Sequence, residues 1–338
     1  MNKNKLVKII LAAIVVLAVV FAYWLKANIW ADRSSGPEKT FVIESGQVVK
    51  EISSNLYAEK LIKSKFIFET YIWLLGLGRD MQAGEYHIKE GVSVKNLVWM
   101  LTSGQGSNER EVKIIEGWTA KDMAEYFKAE GLDDIAFTKE VKNLKKWQGK
   151  EASAFLKEVP AGGTLEGFLF PDTYRIFKDS STEEIIKKML DNFSLKLTPQ
   201  MREDIAKAKR TIFETVTMAS ILEKEVRGAD DRAMVADIFY KRLQVGMPLQ
   251  ADSTVNYVTG GKSPSISLDD RKISSPYNTY KHRGLPPGPI SNPGLDAIEA
   301  AIYPKKNDYW YFLSTPDGET IFSKTLEEHN RAKAKYLK

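Results

Sequence analysis

The sequence contains no cysteine. That excludes disulfides, thiol nucleophiles, a cysteine-built zinc site and a lipid-modified cysteine anchor. Only three histidines occur, His87, His282 and His329, and their spacing matches no zinc-hydrolase helix. A G-x-S-x-G elbow, a P-loop and a dinucleotide-binding glycine fingerprint are also missing. The formal net charge is only +5, and basic residues are interleaved with acidic ones instead of gathering in a patch. Nucleic acid is therefore not an expected partner. For an enzyme, these absences leave carboxylate acid–base chemistry as the most available kind. The composition, 43% apolar and 28% charged over 338 residues, supports two or more folded domains.

A long apolar run is present near the N-terminus. Ile9 to Leu25 (IILAAIVVLAVVFAYWL) is uncharged and bounded by Lys8 and Lys26. As a helix it spans roughly 25 Å at ~1.5 Å per residue, slightly short of a bilayer core. Snorkelling lysines, with Tyr23 and Trp24 at the interface, extend its reach. Lys3, Lys5 and Lys8 precede the run, which predicts a cytoplasmic N-terminus in the inner membrane and a translocated remainder. A cleaved signal peptide is the alternative, but the bulky residues of FAYWLKANIW offer no small-x-small site. The expected organisation is a cytoplasmic tail (1–8), a single transmembrane helix (9–25), a tether (26–39), a small α/β module (40–105) and a larger α+β region with long loops (106–338).

The module boundary rests on an internal echo. Ile43-Glu44-Ser45-Gly46, Ile88-Lys89-Glu90-Gly91 and Ile114-Ile115-Glu116-Gly117 each read as a strand and a glycine-closed turn before a helix start. Ser93 and Thr119 sit where helix N-caps belong. Unequal spacing argues against a solenoid. Ser64 to Leu77 reads as a helix rich in Phe, Tyr and Trp, either scaffold packing or aromatic faces for stacking on sugars. Residues 246–294 are dense in Gly, Pro, Ser, Asn and Tyr, as long functional loops are.

Two carboxylates end the apolar stretch TMASILEKEV (Thr217 to Val226). Thr211 with Glu214 is a capping-box signature that starts a helix there. At ~100° per residue, Ile212, Val216, Ala219, Glu223 and Val226 share one stripe, with Glu225 roughly opposite beside Glu214. Glu223 is thus the carboxylate expected among apolar neighbours. Burial would raise its pKa, as a general acid needs; a core ion pair with Arg or Lys is the competing explanation. Glu166, in a glycine-rich turn before Phe168-Leu169-Phe170 (read as a strand), either lines a groove or fixes the loop.

ASILEKE (219–225), LEGFLFPDTY (165–174), LQADSTVNY (249–257), YNTY (277–280) and LPPGPISNPG (285–294) occur in that order. Together they resemble the YceG-like endolytic murein transglycosylases, the MltG family, over nearly the whole chain. The resemblance implies a LysM-like N-terminal module and cleavage of the β-1,4 bond between N-acetylmuramic acid and N-acetylglucosamine within a strand. The product is a 1,6-anhydro end, with no water consumed. It places the catalytic carboxylate at Glu223. It gives Glu166, Gln250, Asp252, Thr254, Tyr257, Tyr277, Asn278, Thr279 and Tyr280 as substrate-binding candidates. Peptidoglycan strands and membrane-bound peptidoglycan synthases are the implied partners, and no cofactor or metal is implied. Ser253 stands where the family often has Pro, and Val226 where it often has Thr. A non-catalytic wall-binding scaffold and an ordinary two-carboxylate hydrolase are the rival readings.

Overall fold

The computed structural model describes residues 20, 23–24, 26–29, 39–88, 91–103, 109–149, 151–177, 180–261 and 266–337. It is a mixed α and β structure in two compact units, residues 1–111 with 175–179, and 112–174 with 180–338. Most of the apolar run at 9–25 lies outside the described residues. Among the described residues no helix is long and apolar enough to cross a membrane.

The first unit runs β1 (Lys39–Ile43), α1 (Val49–Ala58), α2 (Lys65–Leu75), β2 (Gly84–Ile88) and α3 (Val94–Ser103). β1 and β2 pair antiparallel, with Phe41 opposite Tyr86 and Ile43 opposite Gly84. Side chains alternate across the pair, so Phe41, Ile43, Tyr86 and Ile88 are buried while Val42 and His87 stay outside. Ile52 and Leu56 of α1, Phe68 and Ile72 of α2, and Leu97 and Leu101 of α3 complete the core. Ile29 joins that core, and Asn28 is buried too. The expected tether at 26–39 is therefore pinned to the unit three residues into its length, because burying Ile29 outweighs leaving it in water. The three echoed turn glycines, Gly46, Gly91 and Gly117, all take positive φ (89°, 83° and 77°), the region glycine enters without strain.

Beyond residue 108, β3 (Glu109–Lys113) pairs with β4 (Thr173–Phe177). Between them come α4 (Ala120–Ala129), α5 (Asp134–Lys142) and α6 (Leu144–Gln148). After β4 follow α7 (Thr182–Lys196), α8 (Pro199–Lys207), α9 (Ile212–Glu225), α10 (Ala229–Gln244), α11 (Asp252–Thr259) and α12 (Leu295–Ile302). The hairpin β5 (Tyr311–Ser314) and β6 (Thr320–Ser323) and the helix α13 (Leu326–Tyr336) close the chain. Thr198 caps α8 with Pro199 at its first position, and Thr211 and Glu214 form the capping box that starts α9. α9 is the hub, packed on α10, α11 and α12. Ile212, Thr215 and Val216 are buried, as is each residue from Thr217 to Leu222.

Phe168–Phe170 corrects a sequence expectation. The segment is a buried turn, not a strand; strand geometry begins at Thr173. Gly167 has φ 89°, and a Cβ there would lie 2.5 Å from Pro289. The Asn292 Oδ1 accepts from both Gly167 N and Leu169 N at 2.9 Å, which takes the place of strand pairing.

Candidate active site

α9 ends at Glu225 because Val226 turns extended (φ −141°, ψ 151°) and Gly228 starts α10. Both carboxylates therefore sit in the last turn, where the helix dipole opposes negative charge. Helix stability does not explain them; their partners do. The expectation that only Glu223 faces inward does not hold. α9 is surrounded by other helices, so neither side chain stands free in solvent: each packs against a different neighbour.

Glu223 is clamped. Arg232 Nη2 donates to its Oε1 at 2.7 Å, and Gly294 N donates to its Oε2 at 3.0 Å. The side chains of Glu223 and Arg232 are only 6% and 9% exposed. Arg232 also donates through Nε to Val226 O at 3.0 Å, so one guanidinium ties the end of α9 to α10. Burial raises the Glu223 carboxyl above its ordinary value, against the pull of Arg232 and Gly294 N–H. Two fixed donors favour the anion, and to hold a transferable proton the carboxyl must weaken one of them. A side chain at Gly294 would displace the Glu116 carboxylate that lies against it.

Glu225 is held by one oxygen only. Its Oε1 accepts from Ser253 N at 3.2 Å and from Ser253 Oγ at 2.7 Å. Among the described residues no Lys or Arg forms an ion pair with it, and the residue is part-exposed. Burial raises its carboxyl, Ser253 lowers it, and the neighbouring Asp252 raises it further. Asp252 in turn accepts from the Tyr280 hydroxyl at 2.5 Å, and Arg271 lies over the Tyr280 ring at 5.1 Å. Burial and Asp252 together push the Tyr280 hydroxyl up, so it remains a donor. Glu225, Asp252, Ser253 and Tyr280 form one polar cluster, and the Arg242 guanidinium acts on Glu225 against its burial.

Glu166 stands elsewhere, 6% exposed. Its two oxygens accept from Ala120 N at 3.0 and 3.1 Å, capping α4. Asn292 Nδ2 donates to Oε1 at 2.7 Å. Burial lifts its carboxyl to about 8, with Tyr257 against it. Of the two sequence readings, loop fixing describes this environment; the groove does not.

The other sequence-named residues divide the same way. Thr254 and Thr279 share a hydrogen bond of 2.9 Å between hydroxyls, and Thr279 Oγ1 takes Ala251 N at 3.0 Å. Asn278 donates to Arg271 O and Ile273 O at 3.0 and 2.9 Å. All three are buried, and their hydrogen bonds tie residues 251–254 to residues 271–279. The Tyr257 and Tyr277 rings pack at a 45° tilt with centres 5.0 Å apart. Gln250 is exposed and left-handed at φ 53°, a strained conformation for a non-glycine residue beside the Asp252 cluster. Arg232, Asn292 and Ser220 were not singled out from sequence. Ser220 Oγ accepts from Ile290 N at 3.0 Å, and its carbonyl accepts from Ser291, which fastens the LPPGPISNPG loop to α9. Position within the quoted motifs was the only signal for Asn292 and Ser220. An open cavity of about 500 Å³ lies at the other end of α9, lined by Glu158, Phe213, Thr217, Leu243 and Pro286. It touches neither carboxylate of the last turn. Among the described residues no group of acidic or histidine side chains is arranged to hold a metal.

The chain is similar to the endolytic murein transglycosylase of Bacillus subtilis (strain 168), 36% identical over 87% of this chain and 84% of that protein. It is 32% identical to the endolytic murein transglycosylase of Streptococcus pneumoniae D39 over 94% of this chain, spanning 62% of that longer protein. A crystal structure of a YceG-like protein from Listeria monocytogenes matches with a TM-score of 0.60 and 34% identity, over 87% of this chain and 98% of that one. The model of the YceG-like family matches residues 41–335, and the chain belongs to that family.

Proposed function

We propose that this protein is an endolytic murein transglycosylase, and that Glu225 is its proton-transfer residue. The observation that carries the assignment is the contrast in the last turn of α9: Glu223 is held by a guanidinium and a backbone N–H, whereas Glu225, among the described residues, has no ion-pair partner and takes donors on one oxygen only. Protonated Glu225 donates to the glycosidic oxygen as the C1–O bond of the muramoyl residue breaks. As carboxylate it then takes the proton of that residue's 6-hydroxyl while O6 bonds to C1. The proton borrowed in the first step is returned in the second, and no water enters. Asp252, fixed by Tyr280, supplies negative charge beside the positive charge that develops at C1. Glu223 is the competing donor, since burial raises its carboxyl as well. Glu166, committed to the α4 N-terminus, leaves a two-carboxylate hydrolase without its second group at that position.

The run at 9–25 serves as a single-pass inner-membrane anchor with the enzyme on the outer side, and the strand–helix–helix–strand order of residues 39–88 supports a LysM-like module. That placement sets the enzyme beside nascent strands, with membrane-bound synthases as the partners it implies. Glu225→Gln and Glu223→Gln, assayed on uncrosslinked glycan strands with product mass, test the reading. Glu225→Gln should abolish release of anhydro ends, which are lighter by one water than hydrolysed ends. Wild-type cleavage by Glu225→Gln with loss in folded Glu223→Gln would return the role to Glu223, and hydrolysed ends would overturn the reaction class.

A further inference from the structure

The first unit carries a helix that is apolar on both sides. α2 buries Ile67, Phe68 and Ile72 in the core, yet Phe66, Trp73 and Leu74 on its other side are 58%, 78% and 55% exposed. Phe66, Thr70, Trp73 and Leu74 fall at i, i+4, i+7 and i+8, one continuous outward stripe. Leu75, at the helix end, is 50% exposed. A surface helix with no polar side has an apolar environment on each face. Exposed Lys63 and Lys65 stand at the start of α2 and Arg79 just past its end, and Lys65 also reaches over the exposed Tyr57 ring. The nearby acids are accounted for: Glu59 pairs with Lys39 and Glu69 accepts from Ser53, which leaves Asp80 beside Arg79.

The position of this helix identifies what covers it. Asn28 and Ile29, three and four residues past the apolar run, are buried in this unit, and Asn28 shares a pocket with Lys63, Ser64 and Ile67 at the start of α2. Trp24, inside the apolar run, accepts from Asn28 Nδ2 at 2.7 Å, and five helical residues at ~1.5 Å each put it roughly 8 Å from Ile29. On the anchor reading above, which this inference requires, the start of α2 cannot stand away from the bilayer. Aromatic and aliphatic side chains rimmed by lysine and arginine match a lipid interface. A glycan would instead call for hydrogen-bonding side chains beside the rings, and the stripe offers only Thr70. We propose that the outer stripe of α2 is a membrane-contact surface that seats the first unit against an anionic lipid leaflet.

The absence of cysteine makes the test direct, since a single introduced cysteine takes a spin label at one site only. The full chain carrying Thr70→Cys is labelled and reconstituted in vesicles of phosphatidylcholine with phosphatidylglycerol. Ile135→Cys, 78% exposed and in the second unit, is the aqueous reference. The label at position 70 should collide severalfold more with oxygen, and severalfold less with an aqueous nickel chelate, than the reference. Adding Phe66→Ser and Trp73→Ser should return it to the reference signature. Equal aqueous signatures at both sites in protein that stays with the vesicles overturn the contact surface alone. Protein that leaves the vesicles on alkaline washing overturns the anchor and the surface with it. Protection that appears only after glycan strands are added, or spin–spin broadening that disappears on dilution, overturns the proposal in favour of glycan or of a second copy.

Discussion

The two sides of the last turn of α9 present the same side chain in opposite states. On one side Glu223 meets Arg232 and Gly294 N–H, and both of its oxygens are taken. On the other, Glu225 meets Ser253 through one oxygen and lies beside the Asp252–Tyr280 pair. Both carboxyls are raised by burial, so burial does not separate a clamp from an acid. The partner does. A guanidinium stabilises the anion and fixes two helices, whereas hydroxyl and backbone donors hold a carboxyl in place with much less bias towards its ionised form.

The largest expected effect breaks the comparison outright. Glu225→Gln keeps an oxygen for Ser253 and removes the titratable proton, so cleavage should fall by about 10²–10⁴-fold with the melting temperature nearly unchanged. In the wild type the first step needs the protonated form. Turnover should therefore decline as pH rises through a Glu225 value above the ordinary carboxylate range, and this limb is absent from whatever activity Glu225→Gln retains. A pH–rate profile of both proteins checks it.

The next effect belongs to stability. Arg232→Met leaves Glu223 buried without its cation and should cost about 3–5 kcal/mol in denaturant unfolding. Adding Glu223→Gln should recover a large part of that loss, since the stranded charge is then gone. A double mutant as unstable as the sum of its singles would show that the pair acts through packing alone.

What the sequence disclosed follows the range of the interactions. The capping box of Thr211 and Glu214 and the turn glycines were legible because each is a local feature of a few neighbouring residues. The two carboxylates were not, because α9 is apolar all round and a helical stripe cannot say which neighbour each side meets. Ser253 comes from 28 residues away, and Glu166 meets Asn292 across 126. Phe168–Phe170 read as a strand because three bulky apolar residues suit one. The distant Asn292 carboxamide and the left-handed Gly167 turned the segment instead.

Glu166 sharpens the comparison from a third carboxyl. Its folded value of about 8 lies above the ordinary 4.5, so the native state binds a proton that the unfolded chain has lost. Stability contributed by that proton is complete below about pH 4.5 and declines as pH rises towards 8, by several kcal/mol at most. Glu166→Gln reproduces the protonated shape, keeping an acceptor for Ala120 N–H and Asn292. Thermal melts from pH 5 to 8.5 should flatten relative to wild type, most visibly at the alkaline end. An unchanged slope would mean that Glu166 is ionised in the folded protein throughout.

The smallest effect lies beside Glu225. Tyr280→Phe removes the donor at Asp252 Oδ1 and leaves the ring under Arg271. The loss of one hydrogen bond to a carboxylate predicts a roughly tenfold lower kcat with little change in KM, because the bond supports charge in the transition state and not strand binding. Without that donor the negative charge of Asp252 acts more strongly on Glu225, which then holds its proton to higher pH. The alkaline limb should move up while the plateau falls. A lower plateau with an unmoved limb would assign the hydroxyl to loop packing, and the field of Asp252 would then play no part in setting the acidity of Glu225.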